Sequence, residues 1–284
     1  NQNIIDTLCN ANYLTIVAGC IAELGPSIPP AVVYAWSQVI LSFRQPTQVL
    51  LESIPDVLTA VFALDSAVET SLMIGGHLTR LSPAFIPMLL NAGAIVLSER
   101  ALQSEAVQIR TAALGFIGNF CRREALPDES VEGIVPLVVT QLRDEQPLTQ
   151  RQAAFALGNI LLKNPEAADY AMADSEAIID LLKSNDARTV ENAAGVLGNL
   201  VRKSDDYLDV LIERGALDLL VEALSYGDET GGRVVLQLAV FCQHKAARQY
   251  FVKINTKKAI QPFIKSNDAR VRKYAQSIID SFDV

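Results

Sequence analysis

The chain has 284 residues, a formal net charge of -8 and a pI near 4.9. Phosphate binding depends on clustered Lys and Arg, so this balance argues against general affinity for nucleic acid or anionic lipid along the body of the chain. Half of the residues are apolar and only 6% are aromatic, a composition that suits packed Ala, Leu and Val helices better than sheets of Val, Thr and Tyr.

In chain order, the opening NQNIID carries no Met and no basic segment followed by an apolar one, so the chain is expected to be a piece of a longer protein. The first hundred residues repeat loosely, through Tyr34-Ala35-Trp36-Ser37-Gln38 and Gly76-His77-Leu78-Thr79-Arg80. From Gly93 the pattern sharpens. Short helices are predicted at Gly93 to Leu102, Ile134 to Leu142, Ala177 to Leu182, Gly215 to Leu224 and Ala259 to Ile264. A further short helix precedes some of them, as at Ala167 to Ala173 and at Tyr207 to Arg214, the latter stopped by Gly215.

A longer helix follows the short ones and ends in the same pair: Gly118-Asn119, Gly158-Asn159 and Gly198-Asn199, each 40 residues after the last. The string KSNDAR, ending at Arg188, returns ending at Arg270, two periods later. A fixed period in the range of about 20 to 50 residues marks a chain that stacks one supersecondary unit, because each unit buries its apolar face only against its neighbours. The predicted fold is therefore all-α, a right-handed α-solenoid of about six to seven repeats. It runs as one continuous array: degenerate repeats over 1–92, regular ones over 93–241 and a basic capping repeat over 242–284.

At about 100° per residue, Val190, Ala193, Ala194, Leu197, Leu200 and Val201 share one stripe, predicted to face inward. Asn192, Gly195, Asn199 and Arg202 fall opposite. The position held by Asn199 is occupied through the chain by Gln38, His77, Asn119, Asn159, Asn199 and Gln237, with Ser281 closing the series. We call it the slot. Arg80, Arg122 and Arg202 follow it by three residues, and Arg233 precedes it by four.

The repeat with GALDLLVEALS followed by VENAAGVLGNLV resembles the armadillo repeat, and the looser N-terminal units are similar to its HEAT relative. In armadillo proteins such as importin-alpha and beta-catenin, the last helix of each unit lines a concave groove and its Asn bonds the main chain of an extended peptide. The resemblance implies that role for Asn119, Asn159 and Asn199, with Gln38, His77 and Gln237 extending the ladder. A carboxamide suits it, since it offers both donor and acceptor. Importin-alpha places Trp four residues before the Asn; here stand Gly115, Phe155 and Gly195, with Tyr34, Met73 and Arg233 in outer units. A basic import signal is thus not the expected ligand, and the Arg row favours carboxylate or phosphate groups. The helices ending Leu-Gly-Asn and the closing VRKYAQSIIDSF are also similar to the armadillo-like C-terminal region of Fused-type protein kinases, which would imply a cytoskeletal or ciliary setting.

The expected function is a non-catalytic protein-interaction scaffold, intracellular and cytoplasmic, taking a protein or extended peptide of acidic character. Structural capping by the slot Asn is the alternative. No phosphate-loop, Gly-x-Ser-x-Gly or HExxH pattern occurs, no cofactor is expected, and His77 reads as a polar surface residue without metal partners. Trp36 reads as core and Asp205-Asp206 as a solvated connection. Cys9, Cys20, Cys121 and Cys242 lie singly and read as small core residues of a reducing compartment. From Cys242 onward the charge is +6. Lys253, Lys257, Lys258, Arg270, Arg272 and Lys273 make a basic tip, open to an acidic partner or nucleic acid, while docking against a kinase domain is a further alternative.

Overall fold

The computed structural model describes residues 13–282; Cys9 lies outside them. Among the described residues every regular element is an α-helix or a short 3-10 turn, with no strand. The chain divides into two compact units, one up to Val138 and one from Val139.

The slot falls in one long helix per repeat, and we number these helices. In the first unit they are α1 (Pro30–Ser42), α2 (Val68–Leu81) and α3 (Val107–Cys121). In the second they are α4 (Pro147–Lys163), α5 (Ala187–Lys203), α6 (Asp228–Phe241) and α7 (Ala269–Ser281). Within each unit, consecutive slot helices pack directly on one another. This is the layered stacking of an α-solenoid.

In the second unit, two shorter helices separate each pair: Ala168–Ala173 and Ser175–Leu181, then Asp205–Glu213 and Ala216–Glu222, then Lys245–Lys253 and Thr256–Ile260. Gly215 makes the turn between the members of one pair at φ 74°, a left-handed conformation that costs glycine little. The expected three-helix repeat is present.

The predicted stripe of α5 is buried throughout, from Val190 to Val201. Full burial of a Leu or Val side chain stabilises by about 1.5–3 kcal/mol, so the small and branched residues of each layer carry the stacking. Trp36 is 1% exposed and belongs to the core of the first unit, as expected. Cys121 and Cys242 are buried, whereas Cys20 is exposed, contrary to its expected core position.

The repeated KSNDAR string has a local cause. Ser184 Oγ accepts from Asp186 N at 3.1 Å, and the Asp186 carboxylate accepts from Thr189 N at 3.1 Å, capping α5. Ser266 and Asp268 repeat the device at α7, Asp268 accepting from Arg270 N at 2.7 Å. Asp205 and Asp206, expected in a connection, instead occupy the first turn of helix Asp205–Glu213, where carboxylates favour the helix dipole.

Among the described residues no single helix is long and apolar enough to cross a membrane. The bent pair Pro83–Asn91 with Ala94–Leu102 reaches that length and apolarity only in combination, and Phe85, Leu89, Ala94, Leu97 and Leu102 bury their side chains within the first unit.

Candidate functional site

Because slot helices stack on one another within each unit, a slot side chain can meet the backbone of the repeat before it. In the second unit, Asn199 of α5 donates through Nδ2 to the Gly158 carbonyl of α4 at 2.9 Å. Its Oδ1 accepts from Arg202 Nη1 at 2.7 Å. Gln237 of α6 lies over Gly198 of α5 so closely that a Cβ there would sit 2.3 Å from Gln237 Oε1. In the first unit, a Cβ on Gly76 of α2 would sit 3.4 Å from Asn119 Nδ2 of α3. Gly198, and Gly76 ahead of His77, thus make room for the slot side chain of the following repeat.

The amides of Asn119 and Asn159 bond within their own helices. Asn119 Nδ2 donates to Gly115 O at 2.8 Å and Asn159 Nδ2 to Phe155 O at 3.0 Å. Both residues are partly exposed, and neither Oδ1 accepts a hydrogen bond among the described residues. Each keeps a free acceptor and a second amide hydrogen.

His77 departs from the expectation of a surface residue: it is 6% exposed. Its Nε2 lies 3.1 Å from Phe43 O and its Nδ1 lies 3.1 Å from Arg80 Nη2. A guanidinium only donates, so Nδ1 accepts and Nε2 carries the proton given to Phe43. Burial, reinforced by the Arg80 charge, pushes the His77 pKa below its ordinary value. The ring is therefore a neutral bridge between α2 and the chain after α1. It adds no open rung.

Gln38 is exposed on α1, and four residues earlier Tyr34 is 61% exposed. On α2 the matching residue, Met73, is exposed as well. Arg80 and Arg122 are exposed on the first unit. In the second unit Phe155 is half-buried, and Gly195 faces open space, with nothing within 4 Å of a Cβ built there. Arg233 is expected to attract carboxylates from a partner, yet it already has one. Its Nε lies 3.2 Å from Glu191 Oε2, while Glu191 Oε1 accepts from Thr230 Oγ1 at 2.7 Å. Arg202 is exposed, and the Asn199 oxygen takes only one of its donors.

The basic tip is not uniform. Arg272 Nη1 donates to Ser266 O at 2.6 Å and Asn267 O at 3.0 Å, clamping the turn before α7. Arg270 pairs with Asp268 at 3.4 Å. Lys253, Lys257, Lys258 and Lys273 are exposed. The clamp recurs nine residues before the slot: Arg110 Nη1 holds Ser104 O and Glu105 O, each at 2.9 Å, and Gln150 Nε2 holds Asp144 O at 2.9 Å. Spacing from the slot was the signal by which these positions could have been found. No group of three or more His, Cys, Asp or Glu among the described residues is arranged to hold a metal ion.

Residues 107–160 match the HEAT-like repeat and residues 176–202 match the armadillo/beta-catenin-like repeat. These two stretches carry armadillo/HEAT-type repeats. The chain is 31% identical over 108 residues to the probable importin subunit alpha-A of Dictyostelium discoideum, a stretch covering 37% of this chain and 20% of that relative. A designed armadillo repeat protein superposes with a TM-score of 0.70 at 19% identity, covering 80% of this chain and 99% of its own. Another, solved in complex with the peptide (KR)4, gives a TM-score of 0.68 at 19% identity, covering 80% of this chain and 98% of its own. The likeness to those structures is one of armadillo fold.

Proposed function

We propose that this armadillo-type chain is a protein-interaction scaffold whose slot helices take an extended segment of a partner, with a preference for acidic side chains. The observation that carries this reading is the pair of unbonded amide oxygens on partly exposed Asn119 and Asn159. An extended segment presents unpaired N–H groups that such oxygens can accept. Arg202 in the second unit, and Arg80 and Arg122 in the first, stand exposed three residues beyond their slots. The (KR)4 peptide belongs to the designed relative; here, of the residues four before the slot in the second unit, only Phe155 offers a cation an aromatic face, while Gly195 offers none and Arg233 repels it.

Peptide display on the purified chain tests the reading. Acidic sequences are expected to be enriched over basic ones. A synthetic winner is then expected to lose at least about tenfold in affinity, or ~1.4 kcal/mol, on the combined change Asn159→Ala and Arg202→Gln. Enrichment of basic sequences, or equal affinity for the variant, would overturn it.

A further inference from the structure

We propose that the C-terminal end of the second unit carries a binding site for compact polyphosphate anions, in the concavity formed by helix Thr256–Ile260 and the 3-10 turn Gln261–Lys265. The concavity measures about 640 Å³. Asn255, Lys257, Lys258, Gln261 and Lys265 line it together with Pro262 and Ile264, so its wall holds three ammonium groups, two carboxamides and no carboxylate. It lies in the only stretch of the sequence with a marked cationic excess, +6 from Cys242 onward.

The kind of cation decides the ligand. No guanidinium of this stretch lines the concavity: Arg248 Nη1 donates to Cys242 O and Gln243 O, Arg272 Nη1 to Ser266 O and Asn267 O, and Arg270 contacts Asp268. Lys258 and Lys265 are exposed and make no hydrogen bond or ion pair among the described residues. A planar carboxylate is best met by a bidentate guanidinium fork. Ammonium groups act as point charges with rotatable donors, which suits clustered phosphoryl oxygens.

Asn255 adds a second observation. It is the one non-glycine with positive φ among the described residues, at 56°, and it holds the turn that Gly215 makes one repeat earlier at 74°. A side chain in the left-handed region costs more than glycine does, although Asn bears that cost better than most. Here the substitution adds a carboxamide to the concavity wall. The volume is that of a small-ligand cleft, and the charge of -14 on residues 1–241 opposes a long polyanion laid along the body.

The test is calorimetric titration of the whole chain with tripolyphosphate and, in a second arm, myo-inositol hexakisphosphate. These distinguish a condensed chain from clustered monoesters as the preferred form. Saturable one-to-one binding is expected with at least one of them. The triple variant Lys257→Gln, Lys258→Gln, Lys265→Gln should lose at least about tenfold in affinity, and the control Lys253→Gln, Lys273→Gln, outside the concavity, should stay within about twofold. Circular dichroism of each variant checks that the helices persist. Three results would overturn the proposal: no saturable binding of either anion, equal losses in the two variants, or a single-stranded RNA oligonucleotide that displaces the anions with a steep salt dependence.

Discussion

Asn199 reaches across the repeat boundary to the carbonyl of Gly158, 2.9 Å away, while Asn159 turns back to Phe155 of its own helix at 3.0 Å. Two identical residues in one register thus do different work. Removing the cross-repeat bond leaves a carbonyl short of one donor, so Asn199→Ala is expected to lower stability by about 0.5–1.5 kcal/mol. Asn159→Ala should cost under about 0.5 kcal/mol, because its bond is local to one helix and ties no second repeat. Urea unfolding of the two variants compares them directly, and equal losses would contradict the distinction.

Glycines of the slot helices divide in the same way. Gly195 faces open space in the middle of α5, so Gly195→Ala should stabilise by about 0.5–1 kcal/mol through helix propensity. A Cβ on Gly231 would lie 2.6 Å from the Phe263 ring and 2.7 Å from the Leu224 carbonyl. Gly231→Ala should therefore destabilise by about 1–3 kcal/mol through overpacking. Thermal midpoints that move in the same direction for both would sink this account.

The period, the three helices per repeat and the inward stripe were legible because each is a property of spacing along one helix. Val190 to Val201 fall where a 3.6-residue period puts them. The environment of the slot was only half legible. Whether Asn199 meets Gly158, or His77 meets Phe43, depends on a neighbour about a repeat away, and no single-helix pattern contains that distance. In α2 every residue from Ile74 to Thr79 is buried, so the face marked by exposed Met73 and Arg80 is interrupted at His77 itself. The serine and aspartate of KSNDAR were legible as an echo of the period, but not as the turn and cap hydrogen bonds that both copies make.

The cysteines give a chemical test of the packing. Burial pushes the Cys242 thiol up to about 12, against a smaller opposing effect from Arg248. Thiolate is the reactive form, so Cys242 should resist iodoacetamide in the folded chain while exposed Cys20 is alkylated. Peptide mapping by mass spectrometry after a brief native exposure reads both sites. Modification of Cys242 as fast as Cys20 would show that the end of the second unit is open.

His77 makes stability depend on pH, with a definite sign. Its folded-state pKa is lowered, by burial first and by Arg80 next, from the ordinary value of 6.5. The unfolded chain therefore takes up a proton at a pH where the folded ring still refuses it. Stability is full above 6.5 and erodes as pH falls from there toward the depressed folded value. His77→Gln removes the titrating group and leaves an amide able to donate to Phe43, so the variant should lose less stability than the parent between about pH 7.5 and about pH 5.5. Because the other ionisable groups are common to both proteins, the difference between their urea midpoints isolates this residue. A difference that stays constant across that range, or one that moves in the parent's favour on acidification, would mean that the ring is not held neutral between Phe43 and Arg80.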